Sequence, residues 1–561
     1  MGAVSLSEAP WVTLGLLLGL LLLAAVACER SGDDLTGEEI TYQLAARSLA
    51  RDFDLVVGKA DRQRLEEMSI DPEELPGHLF VKREDDPETR FGVPMLYPAV
   101  LAPFVWVAPV RGPAIANSLL LTLAAALAVR RLSQRLGRQA PALVALCVFV
   151  SLTYRSVFLV QPAILLLTLV ISSLYLVFAH EKPAVHGLQE VYRPFETPGG
   201  VGMRWSVIGV LLGLVAVHHP VYVLMAVPVA VAAPGDRRRS ALAGLLAGLL
   251  VVLALAMLMG GLWGELAEGD SPFEPSRDQP LPERFSVGLT VWNLYYLLLG
   301  RNTGLLPYFL PLVALLGLWQ GGSRRSVLVV TAVIGILLLA LISPFNFFGG
   351  PAAVGNRWLI PWFAMLWFVP TRQPPRGWLT ATILVAAPLM ASTWLAPSVD
   401  RVTPDGVYRQ AAGRLNQWLP VETSQREIPP PGQQAGARFW VRSLSNEATL
   451  AGSSRWRLRQ GKAELQMATP VALAAVYLQF GSQAEPELEV RGGELGDMVL
   501  LPDGGVGFRV EELDRKALHP MWWSAEKQFN YVLRLDMPMD EGRAQSVTIT
   551  AIAEDMERAE P

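Results

Sequence analysis

From Trp11 to Pro397 the chain alternates long apolar blocks with short polar connections, and beyond Ser398 it changes to short runs that alternate residue by residue. The blocks fall at about 11–28, 112–130, 139–153, 158–179, 204–217, 220–234, 240–263, 304–320, 326–343, 357–370 and 377–396. Most approach the roughly 20 residues that a helix needs to cross a bilayer. Within hydrocarbon such a segment must be helical, because lipid offers its backbone groups no partner. The pattern predicts a mainly α, polytopic membrane protein with about eleven transmembrane helices. Residues 94–109 are apolar but broken by Pro94, Pro98, Pro103 and Pro109, and read as a re-entrant or interfacial segment. The later runs (ARFWVRSL, WRLRQGKAELQMA, LAAVYLQFG, ELEVRGG, GFRVEEL, FNYVLRLDM, SVTITAIA) read as strands of a soluble, β-sandwich-like domain. The expected division is 1–398 for the membrane domain, with 29–92 as its first outer loop. An amphipathic helix and Pro-rich linker over 399–435 and a β domain over 436–561 follow.

Charge gives these helices a direction. With the N-terminus inside, every second connection is cytoplasmic, and these hold Arg130, Arg131, Arg135 and Arg138; Lys182, Arg193 and Arg204; Arg237, Arg238 and Arg239; Arg324 and Arg325; and Arg372 and Arg376. Short cytoplasmic loops collect Lys and Arg. The opposite connections include Glu29–Gly92, with 17 acidic and 9 basic residues and therefore a net of −8. An odd number of spans puts the β domain on the outer side as well. The expected location is the inner (cytoplasmic) membrane, multi-pass, with the C-terminal domain extracytoplasmic. The first block ends in Ala25-Val26-Ala27-Cys28, like a lipoprotein signal, but no Lys or Arg precedes it, whereas signal peptides carry a basic start. It is read as a retained span. Charged residues make up 17% of the chain, below the usual quarter or so, and mean hydropathy is +0.33. A net charge of −4 gives no reason to expect a nucleic-acid partner. Cys28 and Cys147 are the only cysteines, so no disulfide framework is expected.

The first outer loop carries SGDDLTGEEITYQLAARSLARDFDL, Ser31 to Leu55. Thr36 followed by Glu39 makes a capping box, and Tyr42, Ala45, Ala46 and Leu49 lie on one helical face. The expectation is an amphipathic helix resting on the membrane surface, with Glu39 closing the cap. That leaves Glu38 as a carboxylate with no structural duty, and Asp33 and Asp34 in place to favour the helix N-terminus.

This stretch resembles the GT-C glycosyltransferases, in particular their aminoarabinose- and mannosyltransferase-like branch, which take sugars from polyprenyl-phosphate carriers. Members place an acidic pair, commonly Asp-Glu, in the first outer loop, then a Tyr, then a small-residue helix ending near Ser-Leu. Glu38-Glu39, Tyr42 and Ser48-Leu49 stand in those positions, with Glu where the family usually has Asp, so Asp34 stays open as the alternative. RFGVPMLYPAVLAPF (Arg90–Phe104) and Asn117-Ser118-Leu119 are similar to the family's proline-rich stretch and next helix. The resemblance implies an inverting transfer of a sugar from a polyprenyl-phosphate donor to a glycan, lipid or protein acceptor at the outer face of the membrane. Glu38, Glu39 or Asp34 would supply the base.

The chemistry asks for such groups. A positioned carboxylate takes the acceptor's proton, and the departing phosphate needs cations or donors, for which the planar fork of Arg is suited. Arg301 and Asn302, near Tyr295, Tyr296 and Tyr308, and Asn356 with Arg357 each stand where a block begins. They are candidates for the donor phosphate together with Tyr42, although interfacial anchoring explains Arg and Tyr at that level equally well. His218-His219-Pro220 forms a tight outer turn and offers a phosphate or metal contact, the plainer reading being exposed histidines. No metal-binding motif is present, and a divalent cation stays open. Pro520-Met521-Trp522-Trp523 offers either a sugar-stacking surface or ordinary core. Two other classes fit less well: a flippase or transporter for a lipid-linked saccharide, and a membrane scaffold whose β domain binds carbohydrate or a partner.

Overall fold

The structure is a computed structural model and describes residues 15, 17–24, 37–54, 56–67, 80–82, 89–178, 198–233, 238–258, 287–300, 304–321, 325–342, 355–375, 377–395, 419, 426–427, 438–443, 448–450, 455–458, 462–469, 473–480, 488–500, 506–516, 529–536 and 545–553. These residues form a helical part followed by a C-terminal β part. The 405–418 helix, the Pro-rich linker, Thr36 and Trp522-Trp523 lie outside them.

Most apolar blocks become helices: Gly112–Leu136, Ala140–Phe149, Ala163–Phe178, Pro198–His218, Arg238–Leu258, Ser326–Ile342 and Trp378–Leu395. Among the described residues two helical stretches are long and apolar enough to cross a membrane, Gly112–Phe149 (counted through a turn at Gly137–Gln139) and Arg238–Leu255, and six shorter apolar segments run 10–17 residues, Gly202–His218 and Trp378–Met390 among them. Three expectations change in detail. The predicted 304–320 block is split at Phe309 into Leu305–Tyr308 and Pro311–Gly317, the second piece starting at a proline, which suits a first helical turn. The 357–370 block starts as a 3-10 turn, Arg357–Leu359, and its α-helix ends at Leu366. Within the expected outer loop 264–303, Val287–Leu299 is helical, as its run of Leu, Val and Tyr allows.

Glycine sets the closest helix pairing. Pro198–His218 and Arg238–Leu258 press backbone to backbone: a β-carbon on Gly248 would sit 2.2 Å from Ser206 O, and one on Gly209 2.2 Å from Leu245 O. Gly244 meets Gly202 O in the same way. Spacings of four put these glycines on one stripe of each helix (Gly209/Gly213 and Gly244/Gly248), which lets backbones approach. Arginines near helix ends are also used in packing. The Arg325 guanidinium donates to Phe368 O (2.6 Å) and Pro370 O (2.9 Å), and Arg372 donates to Gly317 O (2.6 Å). Both close the open carbonyls at helix C-termini.

The first apolar block contributes Leu17 and Leu21 to the main core, and Ser118 Oγ reaches Leu21 O. Large apolar side chains also face outward, among them Leu246, Leu250, Val251 and Leu255 on one helix and Leu384 and Val385 on another.

The β part forms two antiparallel sheets. One has the order β10-β11-β8-β14-β6-β5 and the other β12-β13-β7-β4-β3, with β9 on β13. Here β3 is Arg426–Glu427, β4 Arg438–Ser443, β5 Ala448–Leu450, β6 Arg455–Leu458, β7 Lys462–Thr469, β8 Leu473–Phe480, β9 Glu489–Arg491, β10 Glu494–Leu500, β11 Val506–Glu511, β12 Arg515–Lys516, β13 Phe529–Asp536 and β14 Gln545–Ala553. Val476, Leu478, Phe480, Val510 and Ile549 of one sheet and Tyr531, Leu533 and Leu535 of the other are buried. The Leu473 amide donates to the Tyr531 hydroxyl across the sheets at 2.9 Å. The predicted run WRLRQGKAELQMA is two strands, β6 and β7, which enter different sheets. A short antiparallel pair, Phe80–Lys82 (β1) with Thr89–Phe91 (β2), belongs to the first loop.

The glycine contacts give a direct test. Gly248→Ala should lower thermal stability by about 1–3 kcal/mol, the usual range for forced overpacking. Gly202→Ala, whose β-carbon would meet nothing within 4 Å, should leave it nearly unchanged. Equal melting temperatures for the two variants in detergent would show that the close approach is not what holds this pair.

Candidate functional site

The first-loop helix runs Gly37–Arg51 and starts one residue after Thr36, where the capping box puts it. It does not lie on a surface. Glu39 to Ala46 are all buried, and the small side chains of Ala45 and Ala46 suit the close approach of the Leu96–Val107 helix. Tyr42 meets Tyr97 edge to face, with ring centroids 5.4 Å apart. Glu39 is not limited to the predicted cap, since its Oε1 accepts the Val160 amide at 2.8 Å. Glu38 belongs to the first turn of the same helix.

A polar clasp secures the other end of that helix. Ser48 Oγ donates to Asp54 Oδ1 (2.8 Å) and to Asp61 Oδ2 (3.4 Å), and Asp61 Oδ2 also accepts the Gly58 amide at 3.0 Å. Arg64 bridges Asp61 (2.7 Å) and Asp52 (2.6 Å). Burial pushes the Asp61 carboxyl above its ordinary value, outweighing the Gly58 amide and Arg64, which pull the other way. Asp61 escaped the sequence reading because the loop is full of carboxylates and nothing local distinguishes this one.

The partner of Glu39 belongs to an irregular stretch, residues 151–161. Ser151 caps a single helical turn, Leu152–Ser156, by accepting the Thr153 amide. Beyond it the backbone is held from the side: Asn117 Nδ2 donates to Val157 O (3.2 Å) and Leu159 O (3.0 Å), while Tyr97 donates its hydroxyl hydrogen to Asn117 Oδ1 (3.2 Å). Arg155 is 1% exposed. Burying a guanidinium is costly unless it is partnered, and this burial is visible only in the fold.

The second cluster gathers the histidine turn and Arg357. The His219 ring lies 5.1 Å from that of Trp358 and 5.6 Å from that of Tyr222. The Tyr222 hydroxyl donates to Trp358 O at 3.0 Å, and Asn356 Oδ1 accepts the Trp358 amide at 3.0 Å, capping the turn that contains Arg357. The histidines are therefore packed rather than exposed, and both ring nitrogens of His218 are buried with no hydrogen-bond partner among the described residues. Gly355 has φ +78, and a β-carbon there would come within 2.4 Å of the Leu152 side chain. Hence both clusters touch the same stretch, Glu39 at Val160 and the Arg357 segment at Leu152. One helical turn and four extended residues span at most about 20 Å.

Asp34, Arg301 and Asn302 lie outside the described residues. The rings of Tyr295 and Tyr296 meet at a tilt of 58° with centroids 5.5 Å apart, and Tyr308 is buried in the main core. Among the described residues no group of three or more His, Cys, Asp or Glu is placed to hold a metal ion.

Compared with protein-family models, with curated proteins and with solved structures, the chain matches none.

The Asn117 network can be tested directly. Asn117→Ala strands two buried carbonyls, at about 1–3 kcal/mol each. It should lower the melting temperature markedly and expose the 151–161 stretch to limited proteolysis. A variant as stable and protected as the parent would mean that these carbonyls find other partners.

Proposed function

We propose that the protein is a membrane-embedded transferase of the GT-C kind, moving a sugar from a polyprenyl-phosphate donor to an acceptor at the outer face. The observation that carries the proposal is the meeting of three separated motifs on one stretch. The Glu38-Glu39 helix and Asn117 hydrogen-bond to residues 151–161, and Gly355, just before the Asn356-Arg357 turn, lies against Leu152 of the same stretch. This brings carboxylate-, amide- and cation-bearing segments from distant parts of the chain to one place, which supports the reading.

The membrane reading draws support from chemistry rather than helix length. Outward-facing Leu and Val in rows would be costly in water and are ordinary against lipid. Close glycine-to-backbone packing is the means by which helices associate where hydrophobic burial gives no drive. The alternating basic connections supply the orientation.

In the proposed reaction the acceptor hydroxyl oxygen attacks the anomeric carbon as the carbon–oxygen bond to phosphate breaks. The hydroxyl proton passes to the carboxylate of Glu38 (Asp34 in the alternative), and polyprenyl phosphate leaves with the bonding pair. A single displacement inverts the anomeric centre. Arg357 and, in the same role, Arg301 and Asn302 hold the phosphate oxygens as charge grows on them. Glu39, occupied by the Val160 amide, orients the helix.

Purified protein incubated with a panel of labelled polyprenyl-phosphate sugars and cell-envelope acceptors should transfer one label. Glu38→Gln should lower the rate at least about 100-fold, the low end of what a positioned base supplies, with an unchanged melting temperature. Full activity in that variant removes Glu38 from the base role, and no transfer from any donor removes the transferase reading.

A further inference from the structure

His219 joins two parts of the chain that are more than a hundred residues apart. Its Nδ1 accepts the Val221 amide at 3.3 Å and so caps the 3-10 helix Pro220–Met225. Its ring lies against Trp358, the residue after Arg357. The Tyr222 hydroxyl, from the same 3-10 helix, fixes Trp358 O. An imidazole that accepts at Nδ1 carries its proton on Nε2 and is neutral. Protonation would turn Nδ1 into a donor facing another donor, the Val221 amide.

The charged surroundings work in the same direction. Among the described residues, the titratable groups next to His219 are His218 on the same turn and Tyr222 on the 3-10 helix, and Arg357 on the opposing segment acts on the Tyr222 hydroxyl. The Ser326–Ile342 helix packed on the same 3-10 helix has no ionisable side chain, and neither has Ala226–Val231. None of these elements carries a carboxylate that could compensate a histidinium.

We propose that His219 is a positioning residue whose neutral ring clamps the Trp358 segment, and with it Arg357, and that protonation of His219 releases that segment. The link to headgroup binding rests on the reading of Arg357 as a phosphate-holding cation. The clamp itself rests only on the ring packing and the cap. Burial lowers the His219 pKa from its ordinary 6.5 to about 4. For a histidine depressed in this way the unfolded or released form binds the proton more readily. The clamp's contribution is complete above pH 6.5 and is lost as pH falls from there towards 4.

His219→Asn separates the two properties, because an Asn side chain also caps a helix start but does not titrate. Tryptophan fluorescence of the full-length protein in detergent is followed from pH 7.5 to 4, with Trp358→Phe subtracted to isolate Trp358. The parent should show a step in this difference signal below pH 6.5, and the His219→Asn background should show less than a quarter of its amplitude. A step of equal size in His219→Asn overturns the clamp, as does a parent with no step. If His219→Asn does not fold, the parent difference signal alone decides. Binding of decaprenyl phosphate is measured on the same samples. A parent affinity that falls about tenfold between pH 7 and 4.5, against twofold or less in His219→Asn, links the clamp to the headgroup, since the probe's own protonation is common to both. A fluorescence step without binding at any pH leaves the clamp standing and removes the phosphate role of Arg357.

Discussion

Buried backbone without regular structure has to be satisfied from outside, and the stretch 151–161 imposes that demand on everything around it. Its carbonyls at Val157 and Leu159 take the amide of Asn117, and its amide at Val160 takes the carboxylate of Glu39. Three helices are fixed by this accounting: the one that carries Asn117, the one that carries Glu39, and the one that carries Tyr97. An unpaired group at such a depth would cost a sizeable part of the few kcal/mol by which folds are stable. The irregular stretch is therefore the reference frame for the candidate site.

The same frame explains the packing of the first-loop helix. A helix resting on a membrane keeps a wet face, but this one has Thr41, Gln43 and Ser48 buried together with its apolar positions. Gln43 and Arg47 both donate to Pro109 O, so its polar side is used up against protein. The polar side chains that look like a solvated face in the sequence are the glue of a three-sided contact.

Apolar periodicity made the helices legible, and residues such as Thr36 and Glu39 marked one start to within a residue. The strands from β7 to β14 follow the alternating runs, apart from the two-residue β12 and from β10, whose ELGDMVL has polar and glycine positions where a strand pattern breaks. Contacts separated by a hundred residues or more were not legible. Nothing near Glu39 in sequence announces Val160, and nothing near His219 announces Trp358. The break at Phe309, the helix Val287–Leu299 and the split of β6 from β7 were missed for a related reason. Local composition there is compatible with two outcomes, and the neighbours decide. Whether Glu38, Glu39 or Asp34 takes a proton is a matter of placement too, and residue type alone leaves the three equivalent.

Gly355 ties these threads to heredity. A change of that codon to almost any other amino acid adds a side chain where the backbone is left-handed and Leu152 already fills the space. The damage would be felt two residues on, at Arg357, with no charged or hydrogen-bonding side chain removed. Alleles at this position would look silent in the inventory of chemical groups, because what they disturb is a left-handed backbone and a place that Leu152 already occupies.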